Sequence, residues 1–416
     1  MQDHELYRRI LGIEAPWQVE RVELKLSQGE VHVYLAHQNQ PEWACAECGA
    51  LGPLYDHQPE REWRHLDTCQ YRTILHAAPP RLQCPEHGVR VVKLSWAEPG
   101  SRFTALFEAL AITWLKHASQ KAVAEQLQLS WDEVHAIMER AVKRGLARRH
   151  AEEIPQLGID EKAFRKGHKY LTLVYQIDEG HKRLLWIGRE RTEDSLRRFF
   201  RILPPRIARR IRFVCSDLWK PYLKVIAEYA SQAVHVLDRF HLMTHFSKAI
   251  DEIRAEESRQ LKRDGYEPVL KHSRWCLLKR PANLTRQQTV KLAELVKYNL
   301  RSVRAYLLKE EFQRFWGYVS AGWAVKFLDE WCTRTMRSRL EPMQKVARML
   351  RQHRKLVLNW FHARGTISAG VVEGFNNKAK LTTKKAYGFR TYPAIEIALY
   401  HQLGNLPEPK FAHSFW

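Results

Sequence analysis

Nowhere in this chain do about 18 apolar residues run together, so no segment of it is expected to span a membrane. Cysteine is scarce too: seven in 416 residues, an odd count too sparse for a disulfide framework. The opening decapeptide, MQDHELYRRI, has no apolar core of the kind a secretory signal carries, so a cytoplasmic protein is expected. With 45% hydrophobic and 27% charged residues the composition is globular, which argues against a wholly disordered or collagen-like chain. Acidic residues are the remaining shortage, and an uneven one: 46 against 68 Lys and Arg, a formal net charge of +22. Residues 1–98 carry 10 bases and 14 acids, residues 99–153 carry 8 and 7, and residues 154–416 carry 50 and 25. A two-to-one excess over so long a folded stretch exceeds what solubility needs and points to a polyanion partner, most often nucleic acid.

Residues 19–35 alternate apolar and polar on both sides of Ser27-Gln28-Gly29, the pattern of a β-hairpin. Beyond it stand Cys45-x-x-Cys48 and Cys84-x-x-His87. Two residues between ligands let a tight turn aim both at one ion, and two such pairs complete a tetrahedral site for one structural zinc. Gly49 and Gly88 each follow a pair, where such turns need positive φ. Cys69, His57, His65 and His76 are not needed as ligands and are expected in packing or at the surface. The module's net negative charge favours a structural role over a DNA grip.

Residues 102–117 place Phe103, Leu106, Phe107, Leu110 and Trp114 on one helical face. A short helix with Ala122, Val123 and Leu127 buried follows, then a turn at Leu129. Ser130, with Glu133 three residues on, forms a capping box before a helix lined by Val134, Ile137, Met138 and Ala141. Three helices with so short a turn predict a helix-turn-helix, its last helix entering the major groove. Arg140, Lys143, Arg144, Arg148 and Arg149 cluster on that helix and at its end, and suit phosphates. An ordinary helical hairpin is the alternative.

From residue 155 the texture changes. PQLGIDEKAF, KYLTLVYQID and RLLWIGRERT read as strands, followed by helix (EDSLRRFFRIL), strand (Ile211–Ser216), helix (KPYLKVIAEYA) and strand (AVHVLD). This order predicts an RNase H-like mixed sheet whose first and fourth strands are neighbours. Asp160 on the first and Asp217 at the end of the fourth would then meet. Adjacent semi-buried carboxylates require a counter-charge, which a pair of Mg²⁺ ions supplies in phosphoryl transfer. A further carboxylate comes from SAGVVEGFNNKAKLTTKKAYGFR, where Glu373, Asn377 and Lys380 share one helical face with Asn376 beside them. Lys378 and Lys384 add positive charge there. Glu161 competes with Asp160, although strand alternation sends the two to opposite faces. The alternative readings are a helix cap for Asp217 and a solvated helix residue for Glu373. His168 and Lys169 read as DNA-contacting or structural. Between His245 and about Arg354 the chain is helical and basic, with Trp275, Trp316, Trp323 and Trp331 recurring, and reads as an inserted domain able to clamp DNA.

GIDEKAFRKGHKYLT around Asp160, SDLWKPY around Asp217, LDRFH at 237–241 and VEGFNNKAK with KAYGFR around Glu373 together resemble the DDE transposases of bacterial insertion sequences, in the group named ISL-three. The resemblance covers nearly the whole chain. It implies that Asp160, Asp217 and Glu373 form the triad binding two Mg²⁺ ions (Mn²⁺ as substitute), and that Lys380 is the basic residue following the Glu. Asp238-x-x-His241 is similar to a signature found after the second Asp, so both are candidate supporting residues. The implied partners are double-stranded DNA, as terminal inverted repeats and as target, and a second copy of the chain in the DNA complex. The implied setting is the bacterial nucleoid. Where the family often has Asn-Gly before the Glu segment, this chain has Ala369-Gly370. The expected fold class is multidomain α+β: a zinc-binding β module (1–98), a helix-turn-helix (99–152), an RNase H-like catalytic domain in two parts (153–245 and 356–416), and an α-helical insertion (246–355). The alternative function is a transposase-derived, non-catalytic DNA-binding regulator, and a third reading is a host nuclease.

Overall fold

In the computed structural model, residues 3–38, 42–149, 152–165, 169–266, 268–363 and 369–408 are described. The chain divides into two units, Met1–Arg149 with Lys385–Gly388 and Leu406–Trp416, and His150–Lys384 with Phe389–Asn405.

In the first unit the alternating segment folds as a hairpin of Trp17–Lys25 and Glu30–His37, turned at Gly29 with φ 66°. Tyr71–Ala77 and Arg61–Thr68 extend it to a four-stranded sheet. Val19, Val33, Leu35, Trp63 and Leu75 pack its buried face with Trp17 and Trp96. Three helices follow: α1 (Ala105–His117), α2 (Gln120–Leu127) and α3 (Trp131–Ala147). Ser119 and Ser130 cap α2 and α3, and the Ser130–Glu133 capping box is formed on both sides. Gln128 takes the left-handed conformation that ends α2.

Two details of helix facing differ from expectation. Trp114 is exposed and α1 instead buries Phe107, Glu108, Ala111, Ile112 and Leu115; in α2 the buried pair is Val123 and Ala124, with Ala122 outside. In apolar segments this short, several faces satisfy the helical period, and contacts with neighbours choose among them. Thr104 caps α1, and its hydroxyl also bonds the buried His65 ring of the sheet at 2.8 Å. His65 therefore joins the sheet to the helices.

The second unit is built on a five-stranded sheet: β1 (Gln156–Arg165), β2 (Lys169–Gln176), β3 (Arg183–Arg189), β4 (Phe213–Ser216) and β5 (Val234–Leu237). Their spatial order is β3-β2-β1-β4-β5, with β1, β2 and β3 antiparallel and β4 and β5 parallel to β1. Alternation along β1 sends Leu157 and Ile159 into a core with Leu196, Phe199, Tyr222, Val225 and Ile226, from helices α4 (Glu193–Ile202) and α5 (Lys220–Tyr229). Gly158 faces the other way. There α7 (Ala369–Lys385) packs: Phe375 stacks on Tyr175 at 4.5 Å, and a Cβ on Gly158 would stand 2.8 Å from the Val372 side chain.

Between β5 and α7 the chain is helical, beginning with the 25-residue α6 (Arg239–Arg263). Leu242, Phe246, Ile250, Phe312, Trp331 and Met343 centre a separate core, to which Trp316 also belongs; Trp275 and Trp323 are exposed. Among the described residues no helix is long and apolar enough to cross a membrane.

Because Gly158 admits the close approach of Val372, Gly158→Val is expected to force α7 outward and to destabilise the second unit by about 1–3 kcal/mol. Chemical denaturation of the two proteins, followed by circular dichroism, measures the difference.

Candidate active site and metal centre

The register of the parallel strands dictates the acidic site. Gly158 pairs with Cys215 and Ser216 with Leu237, so equal steps onward align Asp160, midway along β1, with Asp217 and Asp238 just past the ends of β4 and β5. All three carboxylates are buried, at 4%, 8% and 5% exposure. The backbone holds them: the Glu161 N–H donates to Asp160 Oδ1 at 2.7 Å, the Trp219 N–H to Asp217 Oδ1 at 3.1 Å and the Phe240 N–H to Asp238 Oδ1 at 2.7 Å. Asp217 and Asp238 thus sit at the entrances to α5 and α6, where helix N-termini favour negative charge.

Two cations enter the cluster. Arg191, from the β3–α4 loop, pairs with Glu161 Oε2 at 2.7 Å and Asp217 Oδ2 at 3.0 Å, its guanidinium lying 4.4 Å over the Trp219 ring. His241 Nε2 lies 3.7 Å from Asp160 Oδ1. Asp160, with help from Asp238 and Asp217, lifts His241 to about 9 against the opposing pull of burial. Burial, reinforced by Asp217, raises Glu161 to about 7, and burial also raises Asp217 and Asp238. Four carboxylates facing two cations leave a surplus of negative charge in a semi-buried site. Its donors are hard oxygens, the ligand type that suits Mg²⁺ or Mn²⁺. The Asn376 side-chain NH₂ donates to Asp160 Oδ2, while its Oδ1 is buried without a hydrogen-bond partner, a further oxygen that a cation can satisfy.

The structure therefore brings together Asp160, Asp217, Asp238 and His241. Glu373 is exposed on α7, one turn before Asn376. Asn377 points to solvent, and its neighbour Asn376 makes the contact with Asp160. Spacings of three and four residues both fit one helical face, so periodicity alone does not choose between them. Lys378, Lys380 and Lys384 are exposed. Lys162 was overlooked in the sequence although it alternates with Asp160 along β1; burial and the nearby Lys380 charge lower it to about 8. Arg191 carried no readable signal, standing between Glu190 and Thr192 in a short loop of mixed charge. His168 and the side chains of Ala369 and Gly370 lie outside the described residues.

In the first unit two short hairpins deliver the sulfur ligands. Trp43–Ala44 pairs with Leu51–Gly52 around Cys45 and Cys48, and Pro80–Cys84 pairs with Gly88–Val91 around Cys84 and His87. Gly49 and Gly88 have φ of 76° and 69°, the left-handed turns that the spacing predicts. One ligand atom from each of Cys45, Cys48, Cys84 and His87 lies within 4.8 Å of all the others. Cys48 Sγ is 3.6 Å from Cys84 Sγ, which is 3.7 Å from His87 Nδ1. Tetrahedral ligands at zinc distances stand about 3.3–3.8 Å apart, so the set has the dimensions of a zinc site. Burial opposes a Cys84 thiolate, but hydrogen bonds from the backbone and ring of His87, the backbone of Glu86 and the Cys48 thiol hold it down at about 6.

The basic cluster expected on α3 is divided. Arg140 donates through Nε and a terminal nitrogen to Glu108, which is 1% exposed, and Arg144 lies 3.4 Å from Glu98 and 3.8 Å from Glu108. A buried carboxylate needs paired cations, and both arginines pair with Glu108, Arg140 with 30% of its side chain exposed. Lys143 and Arg148 face solvent, with Arg149 half-buried beside them.

A family model described as a transposase, in the DDE class of the ISL3 group, matches residues 157–398. A model for the helix-turn-helix domain of transposase family ISL3 matches residues 92–142, and one for the zinc-finger of transposase IS204/IS1001/IS1096/IS1165 matches residues 41–87. The transposase for insertion sequence element IS1001 of Bordetella parapertussis is 30% identical over 391 residues, 92% of this chain and 95% of its own. The transposase for insertion sequence element IS1557 of Mycobacterium tuberculosis is 30% identical over 438 residues, 98% and 97% of the two chains.

Two outcomes follow from these geometries. Chelation, or Cys45→Ser, is expected to unfold the 41–87 hairpins, with elemental analysis of untreated protein finding about one zinc per chain; metal-free protein that stays folded would contradict it. Arg148→Ala is expected to reduce the salt slope of DNA binding by about one, whereas Arg140→Ala destabilises the helices and leaves that slope unchanged. Titrations at several salt concentrations, alongside thermal unfolding, distinguish the two.

Proposed function

The chain belongs to the ISL3 family of transposases, and on that premise we propose that it binds the terminal inverted repeats of an insertion sequence, cleaves there with Mg²⁺ (Mn²⁺ as substitute), and joins the freed 3′ ends to target DNA. The observation that carries the reading is the alignment of Asp160 and Asp217 on neighbouring parallel strands. The sheet order supports an RNase H-like catalytic domain, with the helices between β5 and α7 as its insertion.

Asp160 and Asp217 would hold the metal ions, with Glu373 completing the set from α7. The contact of Asn376 with Asp160 supports this, since one helical turn separates Asn376 from Glu373 on the same side of α7. Such ions, when bound, would polarise a phosphoryl oxygen and stabilise the attacking and departing oxygens. The remaining work belongs to side chains. Asn376 orients Asp160, while His241 and Arg191 offset the surplus charge of the acids. Asp238 fixes the start of α6 and with it His241. Lys162 and Lys380 face the phosphate, helped along the strand by Lys378 and Lys384.

Each chemical step forms one P–O bond and breaks one. Water attacks first and releases a 3′-hydroxyl, which then attacks a target phosphodiester. No protein–DNA bond intervenes, so catalysis is alignment and charge neutralisation. One zinc at Cys45, Cys48, Cys84 and His87 holds the N-terminal hairpins. Helix α3 reads the repeats, with Lys143, Arg148 and Arg149 on phosphates, and two copies of the chain bring two ends together.

Asp217→Asn is expected to bind repeat-bearing duplex as the wild type does and to lose Mg²⁺-dependent strand cleavage by at least about 100-fold. Gel-shift and cleavage assays on one DNA separate the two effects, and undiminished cutting by the pure variant would remove Asp217 from the reaction.

A further inference from the structure

Phe240 stands between Asp238 and His241 in the first turn of α6, and 58% of it is exposed. The opposite face of the helix behaves differently: Leu242 and Phe246 are 1% and 0% exposed in the helical core. The ring meets His241 edge-on at 6.0 Å, and that histidine in turn lies 3.7 Å from Asp160. Its backbone is held, with the Phe240 N–H bonded to Asp238 Oδ1 at 2.7 Å and its carbonyl accepting the Thr244 hydroxyl at 3.0 Å. A large apolar ring is thus kept in water, on a fixed turn, beside a cluster otherwise composed of carboxylates and cations. Packing within the chain gives it no occupation.

DNA supplies one. A scissile phosphate seated at Asp160 and Asp217 brings the bases on either side of it within reach of a ring that borders the same acids, since successive nucleotides are spaced about 3.4 Å along the helix axis. Aromatic rings take nucleobases flat against their faces, whichever base is presented. A base within an intact pair and stack cannot offer that face, so it must first leave the duplex.

We propose that Phe240 is a stacking platform for an unpaired base of the nucleotide adjoining the scissile phosphate. The inference rests on the transposase reading above and adds to it that the DNA is opened locally at the cut. Stacking on Phe240 offsets part of the cost of that opening and fixes the phosphate against the acids.

The test uses the full-length protein and duplexes carrying the element's own ends, with 2-aminopurine in place of the base on either side of the cleavage position and no added divalent ion. Wild type, Phe240→Tyr and Phe240→Trp are expected to quench the probe on binding. Phe240→Ala and Phe240→Leu bind the same duplex within about threefold but leave it bright. With Mg²⁺ present, Phe240→Ala cleaves fully paired ends about tenfold more slowly, and the defect shrinks on duplexes mismatched at that nucleotide. Equal quenching by Phe240→Ala, or an equal defect on paired and mismatched ends, overturns the stacking role and leaves the transposase reading intact. A wild-type protein that binds these ends no better than unrelated DNA overturns both.

Discussion

Placing several carboxylates close together out of water is costly, and the second unit is organised around that cost. β1, β4 and β5 run parallel and in step, so their register delivers Asp160, Asp217 and Asp238 to one spot. Several groups near that spot offset negative charge. Backbone N–H groups at two helix entrances, the Arg191 guanidinium and His241 all donate to or pair with the acids. The surplus that remains is a site ready for a divalent cation, and the reactions of an ISL3 transposase need one.

The acid cluster also explains several elements with no chemistry of their own. Gly158 lacks a side chain so that Val372 can come close, which seats α7 against β1 and lets Asn376 reach Asp160. Phe375 on Tyr175 fixes the rotation of α7 about its axis. A helix more than two hundred positions downstream is thereby held to the strand bearing the first aspartate. In the first unit Glu108 plays a comparable organising part at smaller scale. Its buried charge draws in Arg140 and Arg144, joining α1 to α3.

Much of this was legible in the residues because it rests on local rules. The hairpin at Gly29, the two metal-binding turns with their glycines, the Ser130 capping box and the strand–helix alternation after residue 155 each follow from a handful of adjacent side chains. The meeting of Asp160 and Asp217 was legible too, since strand order implied it. Harder were choices between equivalent faces. Nothing local tells Asn376 from Asn377, or prefers Ala111 and Leu115 to Leu110 and Trp114 for burial; contacts from distant segments decide. Arg191 was invisible for the same reason, because its role depends on Glu161 and Asp217 folding up to it.

By itself, the sequence determined the kinds of elements, their order and the four Cys and His residues that gather in one cluster, because periodicity, spacing and turn chemistry act between neighbours in the chain. Only the tertiary structure decided which charges are already committed. Arg140 and Arg144 paired with Glu108, Arg191 and His241 entered the acid cluster, and Phe240 was left facing water. Whether a charge or a ring is free depends on the dielectric and on the partners that folding brings to it, and those come from remote parts of the chain.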